Sequence, residues 1–316
     1  MNPLIQAIEN KNYNQLRLLI ELGHDVNVRD EYGYSLLHIA IIQEASIDLI
    51  CLLIESGADV NENVLLFKSV NFFGLTEILI SWGADANTKD GDGKTPLFHA
   101  VYKNLYEEAK ILIDNGADVN AKDKEGKTPL FDAAKGNSLG VVDLLIAKGA
   151  DINAKDNFGK TALFLAAEEG SKEVAELLIL RGANTIDKDG NTPLHIAAKR
   201  NDISLAKFFI GQGMDVNAKN NINETPIFYS IQIKTPEVFN WLIVNGADLK
   251  VQNAYGYSLL HIACYRNAID CAKILIEKGL DINIKDNHGK APITMVNTSY
   301  QNQLFELLLK NGPKEV

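Results

Sequence analysis

Gly126-Lys127-Thr128-Pro129-Leu130-Phe131-Asp132-Ala133-Ala134, followed fifteen residues later by Gly149-Ala150-Asp151-Ile152-Asn153-Ala154-Lys155-Asp156, is the stretch from which the rest of the chain can be read. Thr128 is placed to cap a helix start with its hydroxyl, and Pro129 stands at the first helical position, where no N–H is missed. Ala133 and Ala134 are small enough for neighbouring helices to approach closely. Val141, Val142, Leu144, Leu145 and Ile146 form the apolar stripe of a second helix. Gly149 suits the left-handed conformation that ends a helix, so the unit is a helical hairpin followed by an extended, turn-rich finger from Asp151 to Lys160.

The unit recurs. Positions equivalent to Thr128 fall at Asn2, Ser35, Val64, Thr95, Thr161, Thr192, Thr225, Ser258 and Ala291, making ten units, and six of the nine intervals are 33 residues. Thr-Pro-Leu-Phe, the paired alanines and Gly-Ala-Asp-Ile-Asn together resemble the ankyrin repeat, whose period is 33 residues. The resemblance covers residues 1 to about 312 and implies an all-α fold, a solenoid of stacked helix-turn-helix units with β-hairpin-like finger loops. It makes residues 1–316 a single domain with polar-faced caps in the first and last units. A chain of 316 residues would otherwise suggest two domains. Ten units at helix spacing would span roughly 80–100 Å.

The third unit, 58–90, is irregular. Gly57 to Val64 is five residues shorter than Gly149 to Thr161, and a further two are missing between its helices. Phe72 and Phe73 stand together in that gap. They either fill the core of a shortened hairpin or form an exposed aromatic anchor for a partner. Because contacts in a solenoid are local, residues 1 to about 60 are expected to exchange or unfold apart from the rest.

Charge and composition restrict the functional classes. A net charge of −10 and a pI near 5.2 disfavour nucleic acid. Three cysteines offer no disulfide framework and fit a reducing compartment, so a cytoplasmic location is expected, with export by a specialised system left open. Neither a signal-peptide pattern nor a run of about 18 apolar residues is present, so no membrane insertion is expected.

No catalytic constellation can be assembled, and an enzyme is not expected. His38, His195 and His261 share one place in their units, which in the family ties the turn region together. No metal and no cofactor are expected, and Cys264 and Cys271 read as core residues of one hairpin. Nucleophile-elbow, phosphate-loop and dinucleotide signatures are missing.

In the family, binding is carried by the finger tips and by the exposed end of the first helix. Carried over position by position, the resemblance implies candidate partner contacts at Tyr32, Tyr34, Tyr102, Lys103, Phe158, Lys199, Arg200, Tyr255, Tyr257, Tyr265 and Arg266, to which Phe72 and Phe73 are added. Tyr32 to Ala40 recurs unchanged as Tyr255 to Ala263. Its tyrosines are either interface residues, which large amphipathic rings favour, or a record of duplication that packs on adjacent fingers. Glu168-Glu169 and Lys199-Arg200 alternate in sign, as a register device or as a solvated face. Asn27, Asn61, Asn120, Asn153, Asn217 and Asn283 are expected to bond the backbone of their own turns.

The expected function is a monomeric, non-enzymatic scaffold that binds a protein partner. The alternatives are a host-directed effector or viral interaction protein using the same surface, and a structural tether with no partner site.

Overall fold

The computed structural model describes residues 2–72, 74–231, 236–297 and 302–311, and the chain divides into two compact units, Met1–Asn157 and Phe158–Val316. The first holds five helix pairs: α1 (Pro3–Glu9) and α2 (Tyr13–Glu21), α3 (Leu36–Ile42) and α4 (Ile47–Glu55), α5 (Asn63–Ser69) and α6 (Leu75–Ser81), α7 (Pro96–Tyr102) and α8 (Tyr106–Asp114), α9 (Pro129–Lys135) and α10 (Leu139–Ala147). The second holds α11 (Ala162–Glu169) and α12 (Lys172–Leu180), α13 (Pro193–Arg200) and α14 (Ile203–Gly211), α15 (Pro226–Ser230) and α16 (Glu237–Val244), α17 (Leu259–Tyr265) and α18 (Ile269–Glu277), then a 3-10 helix (Pro292–Met295) and α19 (Asn302–Asn311). The only β pairing among the described residues is two isolated antiparallel bridges, Arg29 with Ser35 and Gln252 with Ser258. The fingers are therefore built from turns.

The expected apolar stripes are the core. Val141, Val142, Leu144 and Leu145 of α10 are buried, as are Ala133 and Ala134 of α9. Phe98, Phe131 and Phe164 lie fully buried at the third position of their first helices, the place that His38, His195 and His261 take elsewhere. Cys264 and Cys271 are buried and neither is in a disulfide, and burial pushes the Cys264 thiol up to about 12, so Cys264 serves as a small apolar residue.

Helix starts fall where the repeat puts them, but the expected hydroxyl cap at Thr128 is absent. The N–H of Phe131 donates instead to the backbone carbonyl of Thr128 at 2.9 Å, and the Thr128 hydroxyl is buried without a partner, as are those of Thr95, Thr161 and Thr225. The 3-10-like first turn satisfies the donor that the side chain would have taken. In units with histidine the hydroxyl is used: Thr192 Oγ1 lies 2.9 Å from His195 Nδ1, which also accepts from Thr192 N–H at 3.0 Å. His195 Nε2 then donates to the carbonyl of Glu224 in the next repeat at 3.1 Å. His261 repeats the arrangement on Ser258 and on the Lys290 carbonyl, at 3.1 Å.

Burial depresses the proton affinity of His38, His195 and His261, against partly compensating acceptors and charges. The folded state then binds fewer protons than the unfolded state once pH falls below the ordinary histidine value of 6.5. Stability is fully present above that value and is lost progressively below it. Exchanging His195 and His261 for phenylalanine, the residue other units place there, is expected to flatten the fall in urea midpoint between about pH 6.5 and 5. An unchanged slope would show that carboxylates dominate that window.

A second expectation is corrected at the asparagines. Asn27, Asn120 and Asn217 bridge to the next repeat: Asn120 Nδ2 donates to the Gly149 carbonyl at 3.0 Å, and Asp151 N–H donates to Asn120 Oδ1 at 2.7 Å. Asn87, which follows Asp-Ala, does the same with Gly116 and Asp118. The turn itself is held by the aspartate two residues earlier, as where Asp118 Oδ1 accepts from Asn120 N–H at 2.8 Å. An asparagine carries both a donor and an acceptor, so it can link two backbones where aspartate closes one turn.

The third unit keeps its core register while losing its finger. Leu65, Leu66, Ser69 and Val70 are buried as Pro129, Leu130, Ala133 and Ala134 are, which supports the equivalence of Val64 with Thr128. The helix starts earlier, however, with Glu62 at its cap. Glu62 also replaces the missing finger: its Oε2 accepts from Ser35 Oγ at 2.7 Å and lies 4.0 Å from His38 Nδ1, while its other oxygen pairs with Arg29. Buried residues of the first three repeats form one continuous cluster from Leu4 to Ala84. Apolar packing therefore crosses the place where a seam near residue 60 was expected.

Candidate partner-binding surface

Each finger tip is shaped by one side chain. Asp30 Oδ1 accepts from the N–H groups of Tyr32 and Tyr34 at 2.9 and 2.8 Å, and Asn253 Oδ1 does so for Tyr255 and Tyr257, at 3.0 Å each. This closed turn holds the two flanking rings on one side, with Tyr32 and Tyr34 centroids 6.5 Å apart and Tyr255 and Tyr257 centroids 6.1 Å apart. The inner ring of each pair leans on the turn histidine, Tyr34 on His38 at 4.4 Å and Tyr257 on His261 at 5.6 Å. The outer rings are free: Tyr32 is 77% and Tyr255 54% exposed. The duplicated tyrosines thus divide their roles, one packing on its own unit and one facing solvent.

In Phe158–Val316 these residues meet. Tyr255, Tyr257 and Tyr265 line a cleft of about 390 Å³ together with His261, Ile262, Met295, Glu224 and Asn253. Tyr265, at the end of α17, is 72% exposed. Glu224 Oε1 accepts from Asn253 Nδ2 at 2.9 Å, which fixes the carboxylate at the cleft wall. Burial and then the Glu224 charge push the neighbouring Tyr229 phenol up to about 12, so it is a neutral hydrogen-bonding group. Arg266, one residue beyond Tyr265, is committed elsewhere: its Nη1 donates to the Ile231 carbonyl at 2.8 Å, where the five-residue α15 stops short. Arg200 makes the equivalent bond to the Glu168 carbonyl. Both arginines tie the end of one first helix to the next repeat.

Of the other candidates, Tyr102 and Phe158 are exposed at 69% and 62%. Lys103 is exposed, with its ammonium 2.5 Å from Asn71 Oδ1, and Lys199 is exposed. Glu168 takes the ammonium of Lys160, on its own finger, at 2.7 Å. The charge alternation of Glu168 and Lys199 is thereby partly settled within one repeat. Phe72 is half-buried and packs against the N-terminal core, in line with a filling role. Phe73 lies outside the described residues. Glu224, Asn253, Ile262 and Met295 were not singled out from the sequence. Glu224 occupies the same finger offset as Lys94, Lys127, Lys160 and Tyr257, so that offset applied to unit eight would have found it. Met295 reaches the cleft from the end of the 3-10 helix that opens the last repeat, an element no offset encodes.

Comparisons with known proteins agree with this architecture. The model of the family described as "Ankyrin repeats (3 copies)" matches residues 1–64, 66–156, 137–220 and 227–315. The mouse (Mus musculus) B-cell lymphoma 3 protein homolog is 28% identical over 137 residues, covering 40% of this chain and 30% of its own length. Human (Homo sapiens) neurogenic locus notch homolog protein 2 is 32% identical over 127 residues, 40% of this chain and 5% of that protein. The chain therefore spans under a third of these relatives. The solved human ASB11 ankyrin repeat domain superposes with a TM-score of 0.62 at 20% identity, covering 71% of this chain and all of that one. Among the described residues no helix is long and apolar enough to cross a membrane. Family match, repeat spacing and helix-pair geometry coincide along the chain, which belongs to the ankyrin repeat family, a fold that typically serves as a protein-interaction module.

Proposed function

We propose that this chain is a non-enzymatic, monomeric scaffold that recognises a protein partner through its finger tips and first-helix ends, with the Tyr255–Tyr257–Tyr265 cleft as the centre of the contact. The observation that supports it most is the convergence of three tyrosines, two of them more than half exposed, on one apolar cleft walled by a carboxylate. Tyrosines gain contact area at low entropic cost and concentrate binding energy at interface centres. Tyr32, Tyr34, Tyr102 and Lys103 in Met1–Asn157, and Phe158 and Lys199 in Phe158–Val316, are further proposed contacts within their own units, and Arg200 and Arg266 hold the helix ends beside them. Phe72 contributes through the core it fills. A structural tether has no need of clustered exposed aromatics, which weighs against that reading. Cysteines without a disulfide favour a reducing compartment, and we place the protein in the cytoplasm.

The test is affinity capture on the immobilised whole array, compared with a variant carrying alanine at positions 255, 257 and 265. The variant should keep the helical circular dichroism and urea midpoint to within about 1 kcal/mol, because two of the three side chains are largely exposed. It should lose the specific partners. An unchanged set of captured proteins would remove the cleft from the binding surface.

A further inference from the structure

The cleft also has a chemical preference, an inference that rests on its proposed role as a binding site. The finger offset immediately before the capping residue is lysine in three consecutive units, Lys94, Lys127 and Lys160, and the chain neutralises each of them itself. Lys94 pairs with Asp132 at 3.0 Å, Lys127 with Glu125 at 2.5 Å and Lys160 with Glu168 at 2.7 Å. The Lys94 ammonium also sits 5.6 Å from the centre of the Phe98 ring. That site is complete: a cation held between an aromatic face and a carboxylate.

At the cleft the same partners stand with the cation missing. The offset is Glu224 in unit eight, so the sign is inverted, and Tyr257 in unit nine, so the lysine has become a ring. Among the described residues Glu224 forms no ion pair, and its hydrogen-bond partners, Asn253 and the Tyr229 phenol, are both neutral. We infer that the cleft is a receptor for the guanidinium of an arginine carried on a basic segment of the partner protein. The net charge of −10 favours the approach of such a segment.

Guanidinium fits this site better than ammonium for two reasons. The Tyr255 and Tyr257 rings are tilted by 36° with centroids 6.1 Å apart, too close and too oblique to admit a cation between two faces. A planar group can instead lie over one ring while its edge donates to the carboxylate. The lining is otherwise apolar, from Ile262, Met295 and the rings, and guanidinium is the more weakly hydrated cation, so it loses less on entry.

The inference is tested on the full chain by NMR titration of the tyrosine ring and backbone amide signals. The probes are N-acetyl-arginine methylamide, its neutral citrulline counterpart of the same shape, and the lysine counterpart. Arginine should produce saturable shifts at Tyr255, Tyr257 and Tyr265 with a millimolar dissociation constant, and citrulline should bind about tenfold more weakly or not at all. Glu224→Gln retains an acceptor for Asn253 and so keeps the local fold. It should weaken arginine about tenfold while leaving the rest of the spectrum in place. Equal binding of citrulline, or no effect of Glu224→Gln, would overturn the cation receptor. Tighter binding of lysine than arginine would overturn the choice of guanidinium. Should captured partners depend on the three tyrosines while arginine fails to bind, only this inference falls and the scaffold reading stands.

Discussion

Gly256→Ala is expected to lower stability by about 3–4 kcal/mol, read as a shift in the urea midpoint, whereas Gly149→Ala should cost only about 1–2 kcal/mol. Both glycines adopt positive φ, 79° and 90°, so both substitutions carry the strain of a left-handed backbone. They differ in what a new Cβ would meet. At Gly149 nothing lies within 4 Å, while at Gly256 the atom would stand 2.5 Å from the backbone nitrogen of Asn287. Backbone cannot swing aside as a flexible side chain does, so the finger of the last repeat must move. With it go the bond from Asn287 N–H to the Tyr255 carbonyl, 3.2 Å, and the bond from Asn287 Nδ2 to the Ala254 carbonyl, 2.9 Å. Each lost bond between fingers adds about 1 kcal/mol. Because Gly256 lies between Tyr255 and Tyr257, the variant should also disturb the cleft, visible as broadened ring signals for those two tyrosines. Equal costs at the two glycines would mean that finger stacking contributes nothing to stability.

This contrast marks where sequence reading stops. Gly149 and Gly256 both read as left-handed turn positions, because positive φ is a local property that residue type reports. The distance to Asn287 is set by how one finger lies on the next, and residue type does not report it. The same division runs through the rest of the molecule. The helix starts at Thr128, Pro129 and their equivalents were legible because capping and proline placement act within four residues. That the hydroxyls of Thr95, Thr128, Thr161 and Thr225 go unused, and that Asn27, Asn120 and Asn217 bond forward to the next repeat, depends on which donor reaches a given acceptor first in the stacked structure. For the site, offsets placed Tyr255, Tyr257 and Tyr265 on one surface. They did not show that Arg200 and Arg266 would be drawn back to bind the ends of preceding helices. Nor did they show that Phe72 would turn toward the core, since that follows from packing around a shortened hairpin.

Glu62→Ala is the substitution expected to release the largest block of structure. Its carboxylate is mostly buried, with the side chain 12% exposed, and it receives the Ser35 hydroxyl, faces His38 and pairs with Arg29. Removing one member of such a cluster leaves the others without their partner, at a cost of about 3 kcal/mol. In a regular repeat a whole finger would share this work. The third unit has no finger, so Glu62 and the Asn27 bridge to Gly57 and Asp59 carry the polar link between the second and third repeats, and of the two only Glu62 is charged and mostly buried. The loss is not expected to stay at that link. Leu49, Ile50, Leu53 and Ile54 of α4 share one buried cluster with Leu65, Leu66, Leu75 and Leu79, so α1 to α6 should open together. Hydrogen exchange should accelerate about 100-fold across α1–α6, the factor that about 3 kcal/mol implies, with protection retained in the central helices of Phe158–Val316. Glu62→Gln, which keeps an acceptor for Ser35 but loses the charge facing Arg29, should fall between the two. If α1–α4 lost protection while α5 and α6 kept it, the polar link would outweigh the apolar cluster, and the weak seam would lie near residue 60 after all.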